Sequence, residues 1–376
     1  MSARDTGAAA HLAEIVPSLK AATDIDLVLV ADEPAFSHLI ARGLLPRKFT
    51  GGSIETHDAP GVEKLRSAAQ HILDKQKPDA LLVGLSGPGL GIDEALLAEA
   101  PALPSYAVQD YPGWVVEGFG VKPRTFFVTD RLAAEMTSSR LDGCRTVVTG
   151  SAKHAAYARL DPQALRATGR VRLRATGPQV VFYGQPAWFL HGYARAIAGF
   201  AGALAGCGDV ALYYRPHPKE SDAERTRMMA ILSEKGLSPQ FDPNESVEQS
   251  LSAADLVVTC FSSCGADQIH LQKRSSEPLG TVLYLFTESD LRRHHVAHAG
   301  SDVPPFATMD LAVLAAESGT LAADLRRALD PATSRAYWQR TRQMLPDPTS
   351  APDVILATIR EDLAKRATTK KLGDRA

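Results

Sequence analysis

Along most of the chain, short apolar runs alternate with longer stretches in which apolar residues recur every three or four positions. A parallel sheet with covering helices produces that alternation. In the first half the runs at 25–30, 53–56, 80–85, 105–109, 125–129 and 146–149 predict strands. Helices are expected over 34–45, 62–75, from about 92, and over 131–141. Because the strand runs are continuously apolar, both of their faces should be buried. Residues 162–177, with Arg166, Arg170, Arg172 and Arg174, read as a linker. Beyond it the pattern restarts, with strands at 179–183, 209–214, 239–241, 256–260 and 281–286 and helices over 188–205, 221–235, 246–253 and after Ser262. Helices over 309–329, 334–344 and 351–365 complete the pattern ahead of a charged tail. The expected class is α/β: two Rossmann-like, doubly wound domains, 1–165 and 178–350, followed by a C-terminal helix and tail, 351–376. Chemistry is expected in the cleft where the two domains face each other, since open parallel sheets bind ligands at strand C-terminal ends.

Composition narrows the picture. The 376 residues suit two domains, and 45% hydrophobic and 22% charged residues are ordinary for a globular enzyme. Forty-one basic and 43 acidic residues leave a net charge of −2, which gives no global field for nucleic acid or an anionic membrane. The sequence has no apolar run of about 18 residues and no signal-peptide core, so a cytoplasmic protein without a transmembrane segment is expected. The four cysteines form no Cys-x-x-Cys pair and read as reduced. Cys260 and Cys264 lack two further tetrahedral ligands nearby and read as small apolar residues rather than a metal pair.

Unusual residues fall just after the predicted strands. Arg215-Pro216-His217-Pro218-Lys219-Glu220 holds an imidazole between two cations in a turn stiffened by two prolines. Such a turn suits a phosphate, with His217 donating and Arg215 and Lys219 adding charge, although it also reads as a solvated surface turn. The next cluster, Phe261-Ser262-Ser263-Cys264-Gly265-Ala266-Asp267, ends a strand in two hydroxyls and opens a helix, which is the arrangement of an anion site at a helix N-terminus. Double serine at a cap is also common where nothing binds.

Together these segments resemble the donor domain of GT-B-fold nucleotide-sugar enzymes: capsule and teichoic-acid transferases, polysialyltransferase-like enzymes and UDP-GlcNAc 2-epimerases. The resemblance rests on R-P-H-P at one strand end and, some 40 residues later, Ser252-Ala253-Ala254-Asp255-Leu256-Val257-Val258-Thr259-Cys260-Phe261-Ser262-Ser263. It covers roughly 178–290 well and the first half in outline. It implies that His217, Ser262 and Ser263 hold the phosphates of a nucleotide-activated sugar, with Gly265 in the same helix start, and that an acid such as Asp267 holds the ribose. Gly184 and Gln185 lie where that fold places a loop able to touch the donor through its amides, or they form a plain strand-to-helix turn. Trp188 and His191 follow them.

In the first half, Gly84, Gly87, Gly89 and Gly91 miss the G-x-G-x-x-G spacing and carry Pro88, which disfavours a dinucleotide site. Glu94 in the following helical turn either complements the helix dipole or acts as a catalytic acid. Asp110, in Gln109-Asp110-Tyr111-Pro112-Gly113-Trp114, is expected as general base for an acceptor hydroxyl, against a structural Asp capping its own turn. The segment Thr149-Gly150-Ser151-Ala152-Lys153-His154 resembles the T-G-x-P-x-x-D loop of the superfamily but lacks its proline and acid. His294 and His298, beside Arg292 and Arg293, read as a cationic rim or an exposed basic face rather than a zinc pair.

The function implied is metal-independent glycosyl transfer without a cofactor, from a nucleotide-sugar to a small-molecule or glycan acceptor; a homodimer is left open. The alternatives are a nucleotide-sugar epimerase or hydrolase, needing a second acid such as Glu94 or Glu117 near Asp110, and a non-catalytic nucleotide-binding module.

Overall fold

The computed structural model describes residues 1–54, 59–84, 89–115, 118–173 and 177–373. The chain divides into two units, Met1–Ala156 with Pro346–Ala376, and Tyr157–Leu345.

Among the described residues, unit 1 is a seven-stranded parallel sheet with helices between its strands. Its elements run β1 (Ser2–Ala3), α1 (Thr6–Ala21), β2 (Val30–Ala31), α2 (Ala35–Ala41), β3 (Arg47–Lys48), α3 (Ala59–Gln76), β4 (Leu81–Gly84), α4 (Ile92–Glu99), β5 (Ser105–Val108), β6 (Thr125–Val128), α5 (Arg131–Arg140) and β7 (Arg145–Val148). The order β3-β2-β1-β4-β5-β6-β7 reverses direction between β1 and β4. The residues of β4, β5 and β6 are all buried, as their unbroken apolar runs require.

Unit 2 begins with α6 (Pro162–Leu173) and continues β8 (Gln179–Tyr183), α7 (His191–Ala205), β9 (Ala211–Arg215), α8 (Asp222–Ser233), β10 (Gln240–Phe241), α9 (Val247–Ala253), β11 (Leu256–Thr259), α10 (Ser263–Arg274), β12 (Thr281–Leu285), α11 (Ser289–Ala299), α12 (Pro305–Thr308), β13 (Val313–Ala315), α13 (Leu321–Leu329) and α14 (Pro331–Met344). Its six described strands are parallel in the order β10-β9-β8-β11-β12-β13. One apolar cluster, with Phe182, Phe200 and Leu283, covers one face, and a second, with Tyr183, Ile269 and Tyr284, covers the other.

Several expectations need correction. Of the stretch expected as a linker, Pro162–Leu173 is helix α6, and Arg174 lies outside the described residues: Arg166 donates to Ser252 O (2.8 Å), Ala254 O (3.0 Å) and Asp255 Oδ1 (2.6 Å) and fastens α6 to the end of α9. The last helix, α15 (Ala351–Gly373), returns to unit 1, where Ile355 and Ile359 join the apolar cluster of Leu12, Ile15 and Leu19 on α1. The boundaries expected near 165, 178 and 350 therefore lie at 156/157 and 345/346. The run expected as a helix over 309–329 holds a strand, β13, before α13, because a short apolar run such as 311–316 is ambiguous in period. β1 and α1 were not expected; a two-residue strand leaves no apolar run, and α1 carries Pro17. The expected strand over 53–56 is represented by an isolated antiparallel bridge between Ile54 and Leu90, with Glu55 and Thr56 outside the described residues.

Candidate functional site

In unit 2 the register aligns Tyr183 with Arg215 and Phe182 with Val258, so β8, β9 and β11 end at one level of the sheet. The loop of Gly184 and Gln185 rises from the middle strand, with the His217 turn on one side and the Ser262 turn on the other. Strands two apart lie about 10 Å from each other, so the two turns flank the switch point of the sheet at short range.

Gln185 holds this edge together. Its buried side-chain carbonyl accepts from Thr259 Oγ1 (3.1 Å), Cys260 N (3.0 Å) and Phe261 N (3.0 Å), and its backbone N–H donates to the Tyr193 hydroxyl (3.0 Å). Gln185 is therefore a brace between β8 and β11. Thr259 Oγ1 accepts in turn from Ser262 N (3.3 Å), and the Ser262 hydroxyl caps α10 by accepting from Cys264 N (3.2 Å). Ser263 is exposed, and its hydroxyl has no partner among the described residues. Gly265 lets α10 settle on β12: a Cβ there would stand 2.7 Å from the Tyr284 hydroxyl. Asp267 is half-buried four residues beyond Ser263, on the same helix face.

The His217 turn is equally constrained. His217 Nδ1 accepts from Lys219 N (3.1 Å), which leaves Nε2 carrying the proton of the neutral ring. Burial, and then the Lys219 charge, holds the imidazole below its ordinary pKa, so a neutral ring presents an Nε2–H donor. The Lys219 side chain is exposed. Arg215, expected on the phosphate, is engaged elsewhere: its guanidinium donates to the fully buried Asp242 carboxylate (2.8 Å) and to Asn244 O (2.9 Å).

The imidazoles of α11 depart from a cationic rim. Burial first, then His298 and His295, pushes the His294 pKa down to about 4. Its ring lies 5.1 Å from Phe261 and 4.2 Å from His298, while Arg292 donates to Phe286 O (2.6 Å) and Ala316 O (2.9 Å).

In unit 1, Asp110 follows β5 and lies against the first turn of α1, where a Cβ on Gly7 would come 2.3 Å from Asp110 Oδ2. Lys153 Nζ is 3.1 Å and His11 Nε2 3.4 Å from Asp110 Oδ1, and His11 Nδ1 accepts from Lys153 N (3.2 Å). Burial alone would raise the carboxyl pKa, but Lys153 and His11 outweigh it and hold the group well below the usual carboxylate range. A carboxylate so stabilised in its charged form takes up a proton poorly, which weighs against the general-base role expected from sequence. Glu94 is likewise committed, pairing with Arg4 at 3.0 Å, both buried, and accepting from Gly91 N (2.8 Å) as a helix cap. Its neighbour Asp93 is fully buried and accepts from the Ser2 hydroxyl; burial and then the Glu94 charge push it up to about 8. His154 is internal, with Nδ1 2.7 Å from Ser151 Oγ. Gly87, Pro88 and Glu117 lie outside the described residues.

Sequence reasoning missed the contact of Glu220 with Trp188, whose indole N–H donates to Glu220 Oε1 (3.2 Å). Glu220 was within the quoted motif, but the signal lay in combining it with Gly184 and the aromatics Tyr214 and Trp188. No helix among the described residues is long and apolar enough to cross a membrane.

In sequence, neither a protein family nor a curated protein matches the chain. In structure it is similar to Staphylococcus aureus MnaA solved with UDP, at 14% identity and TM-score 0.68, over 97% of this chain and 96% of that one. It is also similar to Neisseria meningitidis UDP-GlcNAc 2-epimerase bound to UDP-GlcNAc, at 11% identity and TM-score 0.63, over 96% and 98% of the two chains. A glycosyltransferase from Rickettsia africae matches at 10% identity and TM-score 0.61, over 97% and 98%. With its two doubly wound parallel sheets, the chain has the GT-B fold shared by these nucleotide-sugar enzymes.

Proposed function

We propose that this chain is a nucleotide-sugar enzyme that transfers the sugar to an acceptor hydroxyl, with the nucleotide phosphates bound at the switch point of unit 2. The observation that carries this reading is the placement of the His217 turn and the Ser262–Ser263 helix start on either side of β8, at one level of the sheet. His217 Nε2–H, the Ser263 hydroxyl and the positive end of α10 would stabilise the charge that builds on the leaving phosphate. Lys219 adds an exposed cation, and Asp267 is placed to take a ribose hydroxyl. Arg215 and Gln185 serve this site by holding its loops, and no step needs a cofactor.

Removing one such donor costs on the order of 10²–10³ in kcat. His217→Ala should therefore lower turnover about 100-fold and weaken UDP binding; unchanged values would refute the phosphate role. UDP is the first nucleotide to try, because a structural neighbour was solved with it.

A second reading, epimerisation of the nucleotide-sugar without an acceptor, is favoured by the structural neighbours described as UDP-GlcNAc 2-epimerases. Incubation with UDP-GlcNAc alone separates the two. A new epimer without acceptor establishes epimerisation, whereas product that forms only when an acceptor is supplied establishes transfer.

A further inference from the structure

We infer that Glu220 is the positioning residue of the phosphate turn, acting through a three-donor clamp; this rests on the phosphate reading above. Glu220 is 3% exposed, yet its carboxylate lies three residues from an imidazole read as an anion ligand. A negative charge there works against anion binding unless it has another task, and its contacts define one. Oε2 accepts from His217 N (2.6 Å) and from the Tyr214 hydroxyl (2.8 Å), and Oε1 accepts from the Trp188 indole N–H (3.2 Å).

These donors come from three places: the strand end, the turn itself and the segment that leads into α7. The carboxylate therefore fixes the His217 backbone relative to β9 and to the Gln185 loop at once. Glu220 N also donates to His217 O (2.9 Å), so the residue grips both backbone polar groups of His217. Trp188 is held in place by the Arg227 guanidinium, 4.7 Å from the ring centroid, and by the edge of Tyr193. Gly184 follows from the same clamp, since a Cβ would stand 2.3 Å from Glu220 Oε2. A carboxylate is suited to this task because it is acceptor-only, and every partner here is a donor.

That requirement gives the test. In Glu220→Gln the carboxamide oxygen can keep His217 N–H and the Tyr214 hydroxyl, but its NH₂ then faces the Trp188 N–H, donor against donor. Trp188→Phe removes the opposing donor. Binding of inorganic pyrophosphate and of UDP is measured by calorimetry, and the ¹⁵N shifts of the His217 ring report its tautomer and setting. The expected result is about a tenfold loss of affinity in Glu220→Gln with displaced His217 shifts, and recovery of most of both in Glu220→Gln/Trp188→Phe. Gly184→Ala, which drives a methyl into the carboxylate without changing its charge, should reproduce the loss.

Wild-type affinity and shifts in Glu220→Gln, or a loss that Trp188→Phe does not repair, would overturn the clamp. If Glu220→Gln does not fold, Gly184→Ala decides alone, and wild-type affinity in it overturns the clamp. His217→Ala serves as the separate control: pyrophosphate binding that survives it refutes the phosphate reading itself, whatever Glu220 does.

Discussion

Gln185 offers the sharpest separation of architecture from anion binding, because one oxygen accepts two backbone amides and a hydroxyl at the end of β11. Gln185→Ala strands the amides of Cys260 and Phe261 in a buried setting. At about 1–3 kcal/mol for each unsatisfied donor, the loss should be roughly 2–6 kcal/mol. Gln185→Glu keeps every acceptor, and its three donors offset part of the cost of burying the new charge, so at pH 8 unit 2 should lose some stability yet stay folded. The added charge, however, faces the proposed anion. The Gln185 oxygen is 3.0 Å from Phe261 N, and Ser263 lies two residues on. With about 3.5 Å of reach per residue, the new carboxylate stands at most about 13 Å from a phosphate on α10. At an effective dielectric of about 20 this costs roughly 1.3 kcal/mol per phosphate charge, or about 2.5 kcal/mol for two. UDP affinity should therefore fall about 70-fold or more at low ionic strength, and less in high salt. Urea unfolding and calorimetric titration of both variants check the two halves. Wild-type affinity in Gln185→Glu would refute the placement of the anion, and wild-type stability in Gln185→Ala would refute the brace.

Three further outcomes follow from unit-level geometry. His294 has a folded pKa of about 4, below its ordinary 6.5, so its contribution to stability is complete above pH 6.5 and is lost as pH falls toward 4. His294→Asn should flatten that acid loss, read from urea midpoints at pH 7.5 and 5, and an unchanged slope would contradict the environment described. Arg4→Met leaves buried Glu94 without its cation and should cost about 3–5 kcal/mol in urea unfolding, much of it recovered in Arg4→Met/Glu94→Gln. Asp110→Asn should reduce turnover less than tenfold, since a general base contributes about 10²–10⁴; a 1,000-fold loss would restore the base assignment.

What the sequence made legible is what short segments decide among themselves. Strands β4 to β7 of unit 1, most strand positions in unit 2 and a cap on α10 from Ser262 or Ser263 follow from apolar runs and from a hydroxyl next to the first free amide of a helix, whereas β1 and β3 leave no apolar run. The roles that changed are those settled by partners far along the chain. Arg215 sits in a cation-rich turn, but Asp242, 27 residues later, takes its guanidinium because β9 and β10 are neighbours in the sheet. Asp110, after a strand in a Gly/Pro-rich loop, reads as a general base or a turn cap, whereas α1 and the residues after β7 bring His11 and Lys153 onto it. Helix α6 read as a linker because Asp255, the partner of Arg166, is 89 residues away.

The consequence for the candidate site is electrostatic. With Arg215 committed to Asp242 and His217 held neutral, the proposed phosphate site would rely on an N–H, a hydroxyl and a helix terminus, with the exposed Lys219 adding mobile charge. Neutral donors stabilise an anion only when they are already aimed, because they cannot follow it as a flexible cation can. That places the demand on the groups behind them. Gln185 and Glu220, buried and bonded to three donors each, would supply that rigidity at the proposed site.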